Sequence, residues 1–248
     1  MPNLLLHCGA HHIERDQLAA TPTPDATRTW QPIPHHHLLD QVESSLDGYG
    51  LRVVNQAHAV WGGGDRYFGL LELANGHTRT DYSLVLGLRN SHDKSFPASI
   101  CVGSSVFVCD NLAFSSEVVI ARRHTRFIQR DLPGLVSRAI GRLGELRVAQ
   151  DTRIATYRET ELDDPTAHDL AIRALDAQVL PATRLPALLE EWRRPRHVEF
   201  TDGGRTAWRF LNAATEVLKG RNLAALPRRT QVLHGLMDSA CGLSPNWN

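Results

Sequence analysis

The chain has 248 residues, 42% hydrophobic and 22% charged, which suits a globular protein able to bury a sizeable core. Its 27 basic and 27 acidic residues cancel, so no global charge advertises a nucleic-acid partner. The four cysteines (Cys8, Cys101, Cys109, Cys241) form no CxxC pair, which argues against a zinc knuckle or a thioredoxin-type site.

Residues 1–34 read as an extended N-terminal segment, rich in Thr and Pro toward its end (TPTPDATRTWQPIP). In HHHLLDQVESSLDGYG, Leu38, Leu39, Val42 and Leu46 share one helical face, and Gly48 and Gly50 close the helix. Residues 51–60 and 66–73 read as two strands joined by the Gly62-Gly63-Gly64 turn. The near-continuously apolar run 82–88 predicts a central third strand. After RNSHDKSFP, residues 98–102 and 106–109 read as a hairpin turning at Gly103-Ser104-Ser105.

The periodicity changes near residue 115. Apolar positions from Leu132 to Tyr157 recur at helical spacing and predict one long helix, which Gly141 and Gly144 weaken by roughly 1 kcal/mol each. Shorter helices follow at about 165–180, 184–192, 205–219 and 227–238. A helix, a run of strands and then helices is an α+β order, without the βαβ alternation of a doubly wound sheet. The expected division is an α+β core over 35–160 and a helical portion over 161–248 packed on it.

Charge is uneven. Residues 117–158 hold nine arginines and four acids, whereas 159–195 hold four arginines and eight acids. Arg138, Arg142 and Arg153 fall near one face of the long helix, either as a solvated surface or as a phosphate-tracking ridge. All basic residues except Lys94 and Lys219 are arginines, a chain-wide bias that assigns no single arginine to phosphate binding.

RNSHDKSFP (89–97) places Arg89, His92, Asp93 and Lys94 between two apolar runs. A carboxylate can orient an imidazole base and an arginine can hold an anion, but adjacent residues of an extended chain face opposite ways. Turn chemistry alone also explains Asn90, Ser91 and Asp93. If the strands are neighbours, His92, Asp93, Asp110 and His124 form a candidate catalytic or divalent-metal set, with a polar network at a sheet end as the alternative. His7, His11 and His12 around Cys8 lack a second half-site, and helix capping and packing explain His35-His36-His37. Phosphate-loop, HExxH and nucleophile-elbow motifs are missing.

The segments PIPHHHLLDQVESSL (32–46), VVNQAHAVWGGGDRYFGLLEL (53–73), LGLRNSHDKSFPASICVGSSVFVCDNLAF (86–114), ARRHT (121–125) and AWRFLNAATEVLKGRN with RRTQVLHGLMD (207–238) resemble the phage/plasmid-like proteins catalogued as a domain of unknown function. The resemblance spans nearly the whole chain. It implies a functional or architectural role for Arg89, Asn90, His92, Asp93, Asp110 and Asn111, without naming an activity. The order of elements is similar, in topology only, to the β-β-β-α core of single-strand annealing proteins.

The resulting expectation is a cytoplasmic DNA-binding accessory of phage or plasmid replication or recombination, a homo-oligomer that acts on single strands. Arg89, Arg122, Arg123, Arg126 and Arg130 are its expected phosphate contacts. The alternatives are a metal-dependent enzyme acting on phosphoesters or nucleotides, and a non-catalytic interaction protein. No membrane partner is expected, because no apolar run approaches the roughly 20 residues of a span.

Overall fold

The strand Tyr82–Ser91 (β4) is buried on both faces from Ser83 to Leu88, as its near-continuous apolar run requires. It lies inside a seven-stranded antiparallel sheet. The computed structural model describes residues 11–74, 82–106, 111–113, 118–197, 200, 203–219 and 225–243. Along the sheet run β1 (His11–His12), β2 (Val53–Trp61), β3 (Arg66–Leu73), β4, β5 (Ala98–Val106) and β6 (Asn111–Ala113), while β7 (Val118–Arg122) pairs with the first half of β5.

Alternation along the strands divides the interior in two. Tyr67, Leu71, Leu84, Leu86, Leu88, Ile100 and Val102 face one core, closed by α1 (Arg15–Ala19), α2 (His35–Gly48) and α3 (Ile128–Gly141). Ala57, Ala59, Phe68, Leu70, Val85 and Cys101 face the other. That second core is closed by α4 (Leu143–Glu159), α5 (Asp164–Asp176), α6 (Leu185–Arg193), α7 (Ala207–Leu218) and α8 (Leu226–Ala240). The fold is α+β, with helices on both faces of the sheet.

Gly62, Gly63 and Gly64 have φ of +65°, +72° and +98°, left-handed values that account for three glycines in the β2–β3 turn. Three expectations change in detail. The predicted hairpin at 98–109 is, as far as residue 106, one continuous strand: Gly103, Ser104 and Ser105 stay in register with Val85, Leu84 and Ser83. Small residues that read as a turn are held extended by β4. Residues 107–110 lie outside the described residues.

The predicted long helix is present as α3 and α4, which meet at Arg142. There the Arg142 amide bonds back to the Ala139 carbonyl over 3.2 Å, a tightened turn. A Cβ on Gly141 would sit 2.9 Å from the Tyr49 hydroxyl, so the glycine lets α2 and the helix junction approach. The N-terminal segment also carries α1, whose Leu18 is fully buried, before running without regular structure to Pro34.

Candidate nucleic-acid interface

RNSHDKSFP separates into a buried half and an exposed half. Asn90 and His92 lie at the end of β4, with 0% and 4% of their surface exposed. The Asn90 amide nitrogen donates to the Ile33 carbonyl over 2.7 Å and to His35 Nδ1 over 3.0 Å. His35 Nε2 faces the Gly64 carbonyl at 2.9 Å and must be the protonated nitrogen, which leaves Nδ1 free to accept. Asn90 Oδ1 accepts from His124 Nε2 over 2.7 Å, and His92 Nε2 donates to Ile33 O over 2.9 Å.

The rings of His35 and His92 stack with centroids 4.0 Å apart and planes 4° from parallel. Burial, with His92 close by, pushes His35 down to about 3 and His124 down to about 4. The imidazoles of His35 and His124 are therefore neutral at neutral pH. Asn90 and His92 pin the incoming segment at Ile33, and His35 pins the Gly64 turn, to the end of the sheet. Nδ1 of His92 and Nδ1 of His124 are buried without a hydrogen-bond partner among the described residues.

The exposed half is the β4–β5 turn. Asp93 accepts from the Ser95 amide over 3.0 Å and from Arg66 Nε over 2.6 Å. Against the opposing push of burial, the Ser95 and Arg66 hydrogen bonds hold its carboxyl below the usual range. Lys94 takes a left-handed φ of +63° at the tip, and its ammonium rests 4.6 Å above the Trp30 ring. Trp30 reaches this point because residues 30 and 31 run beside 124 and 125: Trp30 bridges Thr125, and the Gln31 amide donates to His124 O.

Two hollows adjoin here. The first, about 420 Å³, is lined by Trp30, Lys94, Ser95, Phe96, Arg123 and Thr125 among others. The second, about 600 Å³, lies between β7 and α3 and is lined by Arg122, Arg123, Arg130 and Arg138, with Asp131 its one acid among the described residues. Arg123 and Thr125 belong to both, so the hollows form one trench. Exposed Phe127 stands at its edge, flanked by the guanidinium groups of Arg126 at 4.4 Å and Arg130 at 4.7 Å.

The structure gathers Arg122, Arg123, Arg126 and Arg130 along the α3 side of β7, but it does not gather Arg89 with them. Arg89, Ser99 and Ala121 are successive cross-strand partners and share a face, and Arg122 emerges on the other. Arg89 Nε donates to Ser99 Oγ over 3.0 Å, and its guanidinium lies over Phe96. Asp93 turns to Arg66 while His92 turns inward to Ile33, so the two neighbours do not meet. Asp110 lies outside the described residues, and among those described no three His, Cys, Asp or Glu side chains converge as metal ligands.

Arg153 leaves the ridge expected for it. Its guanidinium clasps Asp238 of α8 through two hydrogen bonds of 2.9 and 3.1 Å, and Tyr157 donates to the same carboxylate over 2.6 Å. Trp30, Ser95 and Thr125 were not singled out by sequence reasoning. The available signal was an aromatic residue alone in a Thr/Pro-rich stretch.

The profile of the family described as a domain of unknown function (DUF932) matches residues 26–235. The chain belongs to that family. No curated protein and no solved structure matches it. The family match takes in Trp30, the histidine pins, the β4–β5 turn, β7 and α3, so every described part of the trench lies within the family's own extent. No helix of the described residues is long and apolar enough to cross a membrane.

Proposed function

We propose that the protein binds single-stranded DNA along the β7–α3 trench, as an accessory of phage or plasmid replication or recombination. The observation that carries this reading is Arg123: exposed, without an acid partner among the described residues, and shared by two adjoining hollows. Arg122, Arg130 and Arg138 line the same hollow as Arg123, with Arg130 bonded to Asp131 over 2.8 Å, and supply further guanidinium groups for a phosphate backbone. Phe127 stands beside them and holds the guanidinium groups of Arg126 and Arg130 against its ring.

Zero net charge is compatible with this reading because the contact is local. A ring or filament of identical subunits would join such short trenches end to end, which suits strand annealing. The test is fluorescence anisotropy of a labelled single-stranded oligonucleotide across a salt series. Affinity falling linearly in log salt supports phosphate contact. Wild-type affinity in the Arg122→Glu/Arg123→Glu double variant sinks the reading.

One observation favours a second reading, a metal-dependent enzyme acting on phosphoesters. Nδ1 of His92 and Nδ1 of His124 are buried and unpartnered among the described residues, a setting suited to a metal ligand. Thermal unfolding with and without zinc or manganese tests it, and an unchanged midpoint rejects it.

A further inference from the structure

Two kinds of contact divide the trench. Between β7 and α3 several arginines and Asp131 line one hollow, with Arg130 paired to Asp131, a setting suited to a passing diester backbone. The smaller hollow at the β4–β5 turn is different: Lys94 and Arg123 both line it, and no carboxylate among the described residues does. Asp93, the nearest acid in sequence, is held by Arg66 and by the amide and hydroxyl of Ser95 and does not line the hollow. Among the described residues Lys94 has only the Trp30 ring beneath it, so its ammonium is parked on a weak partner from which a stronger anion can draw it. Thr125 adds a hydroxyl group to the same lining.

Two cations and the Thr125 hydroxyl, with no carboxylate among the described residues in the lining, match a dianion better than a monoanion. A phosphate monoester carries about −1.5 to −2 at neutral pH, whereas a diester carries one negative charge. We infer that this hollow is a phosphomonoester site, which takes the terminal phosphate of a strand whose backbone lies in the trench, or a free mononucleotide of the same chemistry. The strand-end form deepens the single-strand reading and rests on it. The mononucleotide form stands without it.

The experiment has two arms on the full chain. In the first, anisotropy compares one oligonucleotide carrying a 5′-phosphate, a 3′-phosphate or hydroxyls at both ends. One phosphorylated end binds about tenfold more tightly, the size of a charge-assisted hydrogen bond or two. Lys94→Asn brings the ratio back to one; asparagine removes the charge and tolerates the left-handed backbone. In the second arm, calorimetry compares dTMP with thymidine, and binding of dTMP alone supports the site.

A dTMP signal with no end preference assigns the site to free mononucleotides. A dTMP signal from a protein that binds no oligonucleotide keeps the site and removes the trench reading. Equal affinity for all ends together with no dTMP binding overturns the inference, even where the oligonucleotide itself binds. A phosphate preference that persists in Lys94→Asn overturns it as well.

Discussion

Asn90 Oδ1 accepts a 2.7 Å hydrogen bond from His124 Nε2 while its amide nitrogen reaches Ile33 O and His35 Nδ1. One fully buried amide therefore ties the end of β4 to the segment after β7 and to the start of α2. Asn90→Ala strands two buried polar atoms, His35 Nδ1 and His124 Nε2, while Ile33 O keeps its bond from His92 Nε2. At roughly 1–3 kcal/mol for each unsatisfied group, the loss should be about 2 kcal/mol or more. Urea denaturation checks this, with a fall in the midpoint and an unchanged slope.

Acid should unfold the protein earlier than carboxylates alone would. Burial pushes His35 and His234 down to about 3, and His58 and His124 down to about 4, from an ordinary value of 6.5. For each group the unfolded chain binds a proton that the folded chain refuses, so stability is full above pH 6.5 and declines as pH falls toward 4. Each histidine contributes up to about 1.4 kcal/mol per pH unit in that window. Thermal melts between pH 7 and 4 should show a steep loss, and a flat midpoint down to pH 5 would contradict the buried neutral imidazoles.

Arginines on the two faces of the sheet should separate in a salt series. Arg130→Gln removes one phosphate contact and lowers the single-strand salt slope by about 0.7. Arg89→Gln, on the sheet face opposite Arg122, leaves the slope unchanged and lowers stability through the lost Ser99 and Phe96 contacts. Equal effects of the two variants on the slope would show that position on the β7–α3 side does not govern binding.

Two glycines of the same composition should respond oppositely to alanine. A Cβ on Gly69 would lie 2.2 Å from the Tyr67 hydroxyl, which is fully buried and bonded to His58 Nδ1 over 3.0 Å. Gly69→Ala should cost about 2 kcal/mol, since the ring has nowhere to retreat. Gly144 in the first turn of α4 meets nothing within 4 Å, so Gly144→Ala should stabilise by roughly 0.5–1 kcal/mol. Calorimetric melts of both variants check the signs.

The local elements were legible from residue order, because periodicity and turn chemistry are local. Leu38, Leu39, Val42 and Leu46 specify the buried stripe of α2, and the apolar run 82–88 specifies a strand covered on both faces. The three glycines at 62–64 specify their turn, and the arginines at 122, 123, 126 and 130 mark the basic stretch.

Which neighbours meet was settled by long-range packing. Arg89 and Asn90 are adjacent, yet the pleat sends them to opposite faces, and packing of α2 and α3 makes one face a polar pin and the other an arginine's resting place. Register with β4 held Gly103-Ser104-Ser105 extended where their composition suggests a turn. Trp30 and Lys94 are far apart in sequence, and Arg153 and Asp238 farther still. Each pair meets because a distant segment docks, and nothing in local spacing encodes that docking.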